Sequence, residues 1–366
     1  MRNLVEGLFR HIPSGVGSHR KDLRLSKAEL QHVLKRGAAW AVDNGYGTTR
    51  DLEHTEEYGC LQGAEPDNIS DRALERGRPQ LGSIGSGNHF VEVDYVAEVY
   101  DEAVAQALGL FRDQLVVSIH TGSRGLGYQV CDDAIKDMQR ATAKYGIKIP
   151  DRQLCCAPLT SPEAHAYIGA MYSAANFAFA NRQLITHWVR ETFAQVLQRS
   201  QEDMRFDVVY DVCHNIGKFE THPVNGVPQR LCVHRKGATR ALPPGHPQLP
   251  SAWRHLGQPV LVPGDMGRYS YVLIGTAQGG SETFASSCHG AGRLMSRSQA
   301  KKSARGRPIV RELEDQGIFV RSAGRATLME EIPEAYKDVS QVVEVVHGAG
   351  ISRKVAQIRP LGVIKG

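Results

Sequence analysis

The alternation of apolar and polar positions along the chain predicts a mixture of α-helices and β-strands. Residues 26–43 have helical periodicity, and Ser26 and Glu29 have the spacing of an N-terminal capping box. Residues 163–198 form the longest helical pattern, and shorter patterns cover Leu294–Ala304 and Val339–Gly348. Short apolar or β-branched runs that follow turn signals predict strands at Phe90–Val93, Leu115–Ile119, Val208–Val212, Pro259–Val262 and Tyr271–Ile274.

The predicted helix over residues 163–198 is rich in Ala and aromatic residues, but Asn176, Asn181 and Thr186 interrupt its apolar face. The Pro-rich stretch Leu242–Pro250 predicts a loop, and it is too short to link two domains. No internal repeat or low-complexity tract is visible. We therefore expect the α+β class, with a single large mixed α/β domain that covers residues 1–366.

The composition excludes several classes of protein. Hydrophobic residues make up 41% of the 366 residues and charged residues 23%, which excludes a disordered chain, a coiled coil or a fibre. No apolar run is long enough for a membrane span or a secretory signal. The seven cysteines contain no CxxC pair, so we expect reduced thiols and a cytoplasmic protein. The net charge of +5 permits a polyanionic partner without requiring one.

Glycine, at 37 residues, and histidine, at 15, are concentrated in short segments that also hold Ser, Asn or Arg. Such segments are typical of loops in which the backbone approaches a ligand closely. Five of them stand out, at residues 82–93, 120–127, 211–215, 233–240 and 286–293.

Three of these segments each place a histidine at the end of a predicted strand: His89, His120 and His214. Neutral imidazole is a common ligand of first-row metals, and a strand end holds it stiffly. Each histidine alone could be a capping or core residue. Three of them in three segments, each beside Asn, Ser or Gly, favour a metal site, although the spacing does not name the metal.

The segment around His234, Arg235, Lys236 and Arg240 places four potential cations within seven residues. Two interpretations remain open here, a solvated basic face and a contact with phosphate or RNA. The glycines at 82, 85 and 87 match neither a P-loop nor a dinucleotide-binding fingerprint well.

The fifth segment contains His289, followed by Gly290, Ala291, Gly292 and Arg293. The small residues leave room for a bulky ligand beside the imidazole. A helix that begins near Gly290 would place Arg293 one turn further on, within reach of the same phosphate. Because a neutral imidazole can attack phosphorus and form a phosphoramidate, the residues indicate a metal-dependent phosphoryl or nucleotidyl transfer enzyme.

Together these segments resemble one family, the RNA-splicing ligase RtcB family of GTP-dependent RNA 3′-phosphate ligases. The resemblance runs from about Ile12 to Gly366. The strings that carry it are GSGNHFVEV, HTGSRGLGYQV, CHNIGKFE, VHRKGATRALPPGHP, PVLVPGDMG, ASSCHGAGRLMSRSQAKK, EEIPEAYKDV and GVIKG.

The resemblance implies a fold of the RtcB-like type and a ligase reaction. Members join an RNA ending in a 3′-phosphate or a 2′,3′-cyclic phosphate to an RNA with a 5′-hydroxyl, through a covalent His–GMP intermediate. The implied cofactors are GTP and two manganese ions. The implied partners are these RNA ends and an archease-like activator, with no membrane.

The resemblance also assigns roles to individual residues. His289 matches the nucleophile that accepts GMP, and the metal ligands match His89, His120 and His214. Asn88 and Arg293 match residues that contact the nucleotide phosphate or support its transfer, and Glu92 matches a residue beside the metal. The positions implied to bind nucleotide also include Asp265, where many members carry serine, and Ser270, Gly290, Ala291, Gly292, Tyr336 and Lys365. Asn215 is implied to support the site.

One departure from the family is expected to matter. Members carry an upstream Asp-x-x-Cys-Gly element whose Asp and Cys also bind manganese, and no such element precedes Ile12. We therefore expect a chain that is N-terminally truncated relative to the family. Two alternative functions stay open: the histidine cluster alone would also allow a metal-dependent phosphohydrolase that acts on RNA or nucleotides, and the missing ligands would allow an inactive RNA-binding remnant.

Overall fold

The structure is a computed structural model that describes residues 1–251 and 253–366. Five α-helices precede the first strand, and the remaining helices are interspersed among the strands. Its α-helices are α1 (Arg2–His11), α2 (Lys27–Arg36), α3 (Ala38–Asp43), α4 (Thr49–Glu53), α5 (Asp71–Gly77), α6 (Glu102–Ala107), α7 (Arg124–Lys144), α8 (Pro162–Leu197), α9 (Gln201–Met204), α10 (Ala277–Glu282), α11 (Arg297–Ser303), α12 (Ile309–Glu314), α13 (Arg325–Glu330) and α14 (Val339–Gly348). Its strands are β1 (Phe90–Val99), β2 (Leu115–His120), β3 (Asn215–Val224), β4 (Val227–Lys236), β5 (Ala238–Arg240), β6 (Pro259–Val262), β7 (Ser270–Gly275), β8 (Ser286–Cys288), β9 (Phe319–Ser322) and β10 (Ser352–Lys365). Short 3₁₀ turns lie at Glu56–Gly59, Pro66–Asn68, Arg78–Gln80, Arg152–Leu154 and Pro333–Ala335. The predicted α+β class, a single mixed α/β domain, is confirmed.

The largest sheet has six strands. Its order is β2-β1-β10-β7-β6, and β9 pairs with β10 in parallel. The other pairs are antiparallel, and the 14-residue β10 borders β1, β7 and β9. Two smaller sheets pair β3 with β4 and β5 with β8. The turn between β3 and β4 is Asn225-Gly226, and both residues have positive φ, as tight hairpin turns require.

The 36-residue helix α8 is the central helix of the main core. It begins at Ser161, whose hydroxyl accepts a hydrogen bond from the backbone N–H of Ala164, with Pro162 as its first residue. Buried residues occur on all sides of the helix, which is typical of a helix surrounded by protein. Phe177 and Phe179 are both 0% exposed, and α1, α2, α3 and α7 pack against α8. Its buried polar side chains, such as Asn176 and Asn181, bond to other segments of the chain.

The prediction for residues 26–43 is confirmed with one break. Ser26 and Glu29 form both bonds of the capping box. The helix is interrupted at Gly37, which has φ of 55° and separates α2 from α3. A Cβ at this position would lie 2.1 Å from the carbonyl oxygen of Gly59, so only glycine allows this contact.

Other predictions are confirmed or corrected by the described residues. The structure contains four of the five predicted strands, the predicted loop at Leu242–Pro250 and the predicted helices at 163–198 and Val339–Gly348. The helix expected over Leu294–Ala304 is present as the shorter α11. The strand expected at Val208–Val212 is wrong. Only Asp211 forms a bridge there, with Thr55, while Tyr210 and Val212 pack near Trp253. The apolar run is therefore buried against a loop and not within a sheet.

No helix within the described residues is both long and apolar enough to cross a membrane. All seven cysteines are free, as expected of reduced thiols.

A buried carboxylate fixes the start of the β3–β4 hairpin. Glu56 is 1% exposed, and its Oε2 accepts a hydrogen bond of 2.9 Å from the backbone N–H of Cys213. Its Oε1 lies 2.9 Å from Lys218 Nζ and 3.2 Å from Arg240 Nε. Burial raises the pKa of Glu56, but the two cations outweigh burial and hold the pKa at about 2. The carboxylate is therefore charged in the folded protein.

This shift in pKa predicts how stability depends on pH. The pKa of Glu56 lies below its ordinary value of 4.5, so the unfolded chain takes up the proton first as the pH falls. The stabilisation is complete above pH 4.5 and disappears toward pH 2, by about 1.4 kcal/mol per pH unit. In urea unfolding, the difference between the wild type and Glu56→Gln should therefore shrink steadily between pH 4.5 and the acid limit of folding.

The exposed Glu202→Gln is the matched control and should run parallel to the wild type throughout. A constant gap between the wild type and Glu56→Gln across this range would contradict a charged, ion-paired Glu56.

Candidate active site

The site lies where β1, β2 and β10 meet. Residues Phe90 and His120 are directly opposite in the β1–β2 pair, and Phe90 is opposite Lys365 in the β1–β10 pair. Directly opposed residues share a face of a sheet, so these three side chains form a row. His89 immediately precedes β1 and His120 ends β2. The antiparallel pairing therefore brings the two histidines to the same edge.

Four imidazoles from four segments form a second row. The ring centroids of His89 and His120 are 6.0 Å apart, those of His120 and His214 are 5.2 Å apart, and those of His214 and His289 are 4.5 Å apart. The Nε2 atoms of His120 and His214 are separated by 3.1 Å. The structure thus brings together the three histidines predicted to bind metal and the one predicted to accept GMP.

One detail of this row differs from the sequence-based expectation. His214 does not end a strand but lies immediately before β3, because the expected strand at Val208–Val212 does not form. His89 Nδ1 accepts a hydrogen bond of 2.9 Å from the backbone N–H of Gly85. No group of three or more His, Cys, Asp or Glu side chains among the described residues is arranged to surround a metal ion. The nearest approach to such a site is the pair His120 and His214.

The histidines of the row are held in the neutral form. Burial lowers the pKa of His89 to about 3 and that of His214 to about 4, and it takes the pKa of His120 well below its ordinary range. Neighbouring charges, such as Arg124 near His89, act in the same direction. His214 Nδ1 is buried and has no hydrogen-bond partner within the described residues.

These observations fit a divalent first-row metal. Neutral imidazoles present the lone pairs that such ions bind. Two nitrogens that each bind one ion at about 2.1 Å lie about 3.0 to 3.4 Å apart for angles between a right angle and the tetrahedral angle, and the separation of 3.1 Å between His120 and His214 is within this range.

The backbone of Gly237 holds His289 beside His214. β8 ends at Cys288, and its pairing with β5 places Cys288 opposite Ala238. The N–H of Gly237 donates to the His214 carbonyl at 3.1 Å and to Asn215 Oδ1 at 3.2 Å. Gly237 has φ of 68°, and a Cβ there would lie 3.3 Å from Cε1 of His289. Burial lowers the pKa of His289, and the contact with the Gly237 backbone partly opposes that shift.

The segment after His289 is a loop, so the expected helix start near Gly290 is wrong; α11 begins only at Arg297. Ala291 is buried, and its N–H donates to the carbonyl of Pro263 at 3.3 Å. Gly292 accepts from the N–H of Lys337, and Arg293 forms a β-bridge with Tyr336. These bonds draw the segment toward residue 336 and prevent a helical turn.

Arg293 belongs to a buried network on the far side of β1. Its Nη1 lies 3.1 Å from Glu331 Oε1 and 3.0 Å from the hydroxyl of Tyr336, which also bonds to Glu331. Lys365 Nζ lies 3.9 Å from Glu331 Oε2 and donates to the carbonyl of Gly87 at 3.3 Å. Burial lowers the pKa of Lys365 and raises that of Tyr336. Glu331 was not predicted, and its only signal is its place in the string EEIPEAYKDV.

Asp265 and Ser270 are engaged within their own turn. Asp265 Oδ2 pairs with Arg268 at 2.6 Å, and Ser270 Oγ accepts from the N–H of Gly264 at 3.1 Å. Burial raises the pKa of Asp265, although Arg268 opposes the shift.

The remaining two predicted residues lie on or beside β1. Glu92 is 4% exposed; burial raises the pKa of both Glu92 and its neighbour Asp94, to about 6 for Asp94. Asn88 is partly buried in the turn just before β1.

A cleft of about 1650 Å³ runs along α8 and β2 to the histidines. His120, His214, Asn215, Ser270 and His289 line it. Other predicted residues lie outside this cleft, among them Asn88, His89, Glu92, Asp265, Arg293, Tyr336 and Lys365. The predicted residues therefore fall into three groups: those that line the cleft, those in the network around Glu331 (Arg293, Tyr336 and Lys365), and those that belong to neither (Asn88, His89, Glu92 and Asp265 among them).

The four cations predicted near residue 235 have two different roles. Arg235 pairs with Glu220 at 2.6 Å, and Arg240 pairs with Glu57 at 2.7 Å; both arginines are 3% exposed. Lys236 and His234 are exposed and line the cleft. Half of the expected basic face is therefore structural.

Comparison with known proteins gives one consistent result. The chain matches the family model described as tRNA-splicing ligase RtcB over residues 1–366. It is 56% identical over 366 residues to the tRNA-splicing ligase RtcB of Thermococcus kodakarensis and 54% identical to that of Archaeoglobus fulgidus. In both cases the match covers 100% of this chain and 76% of the relative. With the protein of the same name from Pyrococcus furiosus, identity is 54% over 367 residues, which cover 38% of that relative.

These matches extend over the whole chain; they do not show that an N-terminal segment of the family is missing, and that expectation stays a prediction. The full-length match and the level of identity agree with the strings from which the resemblance was inferred. The chain belongs to the RtcB family of tRNA-splicing ligases.

Proposed function

We propose that the protein is a GTP-dependent RNA ligase that works through GMP bound covalently to His289. Its substrates are an RNA that ends in a 3′-phosphate or 2′,3′-cyclic phosphate and an RNA with a 5′-hydroxyl. Membership of the RtcB family supports the ligase reaction. The observation that carries the proposal is the placement of His289 in the cleft, with its ring centroid 4.5 Å from that of His214.

The first step transfers GMP to the protein. The Nδ1 side of the His289 ring faces Gly237, which leaves Nε2 as the attacking atom. The lone pair on Nε2 forms a bond to the α-phosphorus of GTP, the bond between this phosphorus and the β-phosphate oxygen breaks, and pyrophosphate leaves. Because burial lowers the pKa of His289, the nucleophile is present in its unprotonated form.

Two further steps complete the ligation. Where the RNA ends in a 2′,3′-cyclic phosphate, water first adds to the phosphorus and the P–O2′ bond breaks, which leaves a 3′-phosphate and a 2′-hydroxyl. An oxygen of the 3′-phosphate then attacks the phosphorus of the GMP adduct, and the P–N bond to His289 breaks. The 5′-hydroxyl of the second RNA then attacks the activated 3′-phosphate, and GMP leaves. Activation is needed because a phosphate monoester has a poor leaving group.

Manganese is the metal that we propose for the histidine row, with His120 and His214 as its nearest pair of donors and His89 beside them. When bound, it would offset the negative charge of the reacting phosphates. Support for this assignment comes from the neutral imidazoles and from the separation of 3.1 Å between two of their nitrogens.

The network beyond β1 is proposed to bind the guanosine and its phosphate. Arg293 and Lys365 are its cations, and Tyr336 is its aromatic residue. Glu331 holds all three side chains in place through the contacts described above. Asn88, Asp265, Ser270 and the segment 290–292 complete the proposed nucleotide site, with Glu92 and Asn215 as supporting residues.

An archease-like activator and a cytoplasmic location are also part of the proposal. The activator comes from the resemblance and the location from the cysteine content, and both remain predictions. The net charge of +5 agrees with an RNA partner.

The first test concerns the nucleophile. Incubation with α-labelled GTP and manganese should give an acid-labile, base-stable adduct on the wild type, as expected of a phosphoramidate. His289→Ala should carry no label, because the attacking nitrogen is absent. The exposed His165→Ala is the matched control and should be labelled like the wild type.

Label retained by His289→Ala would assign the nucleophile elsewhere. Release of RNA phosphate without any adduct would favour a phosphohydrolase. RNA binding that depends on neither GTP nor manganese would favour a non-catalytic binding protein.

The second test concerns the metal. His120→Ala and His214→Ala should each lower manganese content and reduce guanylylation at least tenfold, because each removes a ligand. Elemental analysis of the dialysed proteins measures the content, and His165→Ala again serves as the control. Unchanged manganese content in both ligand variants would mean that these histidines have a structural role.

A further inference from the structure

Asn181 of α8 bonds to the segments that carry two of the histidines. It is 0% exposed. Its Oδ1 accepts from the N–H of Gly82 at 2.7 Å and from that of Ser83 at 3.1 Å. Its Nδ2 donates to the carbonyls of Ser83 at 3.1 Å and Gly122 at 3.0 Å. All four hydrogen-bonding positions of the amide are therefore used to join the loop before His89 to the turn after His120.

The next residue, Arg182, joins the second of these segments to a third. Its Nη1 donates to the carbonyl of Thr121 at 3.2 Å. Its Nε lies 2.7 Å and 2.9 Å from the two carboxylate oxygens of Asp211. The side chains of Arg182 and Asp211 are 11% and 18% exposed. Thr121 directly follows His120 and Asp211 lies three residues before His214, so Arg182 connects the two histidines whose Nε2 atoms are 3.1 Å apart.

We propose that Asn181 and Arg182 are positioning residues that set the separations within the histidine row. This inference rests on the proposed function, because the row is taken to bind manganese. The three segments are distant in sequence, and only one of the three histidines, His120, lies within a strand. Two consecutive residues of a buried helix give all three segments one common rigid support. Groups that orient metal ligands in this way commonly change metal affinity 10–100-fold when they are removed.

The same helix supplies matched comparisons for a purely structural role. Asn176 is also 0% exposed; its Oδ1 accepts from the N–H of Leu61 at 2.7 Å, and its Nδ2 donates to the carbonyls of Leu34 at 3.0 Å and Leu61 at 3.2 Å. Arg190 forms two 2.8 Å contacts with Asp51. Asn176 bonds to backbone groups as Asn181 does, and Arg190 pairs with an aspartate as Arg182 does. The residues to which Asn176 and Arg190 bond are not in the segments that carry the four histidines.

The experiment compares Asn181→Ala with Asn176→Ala and Arg182→Lys with Arg190→Lys in the full chain. Two quantities are measured: manganese affinity, from the EPR signal of free Mn²⁺ during titration, and the separation between Nε2 of His120 and Nε2 of His214 in metal-free crystals. We expect Asn181→Ala and Arg182→Lys to weaken manganese binding 10–100-fold and to move the separation away from 3.1 Å. The control variants should lose comparable thermal stability but keep both values.

The outcomes separate this inference from the proposed function. Equal affinity and separation in site and control variants would overturn the positioning role, while manganese binding by the wild type would leave the proposed function intact. If the wild type binds no manganese, the proposed metal assignment fails and the separation alone decides the positioning role. If Asn181→Ala does not fold, the milder Arg182→Lys and its control decide by the same two measurements.

Discussion

Partial burial of four neighbouring imidazoles, which keeps them in the neutral form, is the condition on which the site depends. Two protonated rings separated by 3.1 Å would repel each other by about 5 kcal/mol at an effective dielectric constant of about 20. The structure avoids this cost because burial lowers the pKa of each histidine in the row. The same burial leaves lone pairs available, so one physical effect serves both metal binding and nucleophilic attack.

The fold supplies the four histidines from separate places and aligns them by different means. Antiparallel pairing of β1 and β2 brings His89 and His120 to one edge. The charged, buried Glu56 fixes the backbone next to His214, and Gly237 fits between His214 and His289. α8 runs beneath three of these segments, and its buried polar residues bond to them. The site is therefore a product of long-range contacts and not of any one motif.

Features with a local physical cause could be predicted from the sequence. Residue spacing predicts the capping box at Ser26 and Glu29. The periodicity of apolar residues predicts the long helix over 163–198 and the strands that begin near residues 90 and 115. The polar interruptions at Asn176 and Asn181 were visible as well, although their partners were not. The family could also be predicted, from short runs of residues that resemble it, and the match over residues 1–366 agrees with that prediction.

Features that depend on distant partners could not be predicted in this way. The run at Val208–Val212 has strand composition but packs against a loop near Trp253, and the segment at Gly290 is drawn away from a helix by its bonds to residues 336 and 337. Arg235 and Arg240 were expected on a solvated basic face or in contact with phosphate or RNA, yet both are buried and pair with acidic residues up to 183 positions away in the sequence. Glu331 likewise has no local signal that marks it as the centre of a network.

The central claim is that His120 and His214 form the metal-binding part of a row that continues to the nucleophile His289. Crystals of the protein soaked with Mn²⁺ and measured at the manganese absorption edge test it most directly. The account predicts an anomalous difference peak in contact with the Nε2 atoms of both His120 and His214. A peak elsewhere in the molecule, with none beside these two nitrogens, would contradict it.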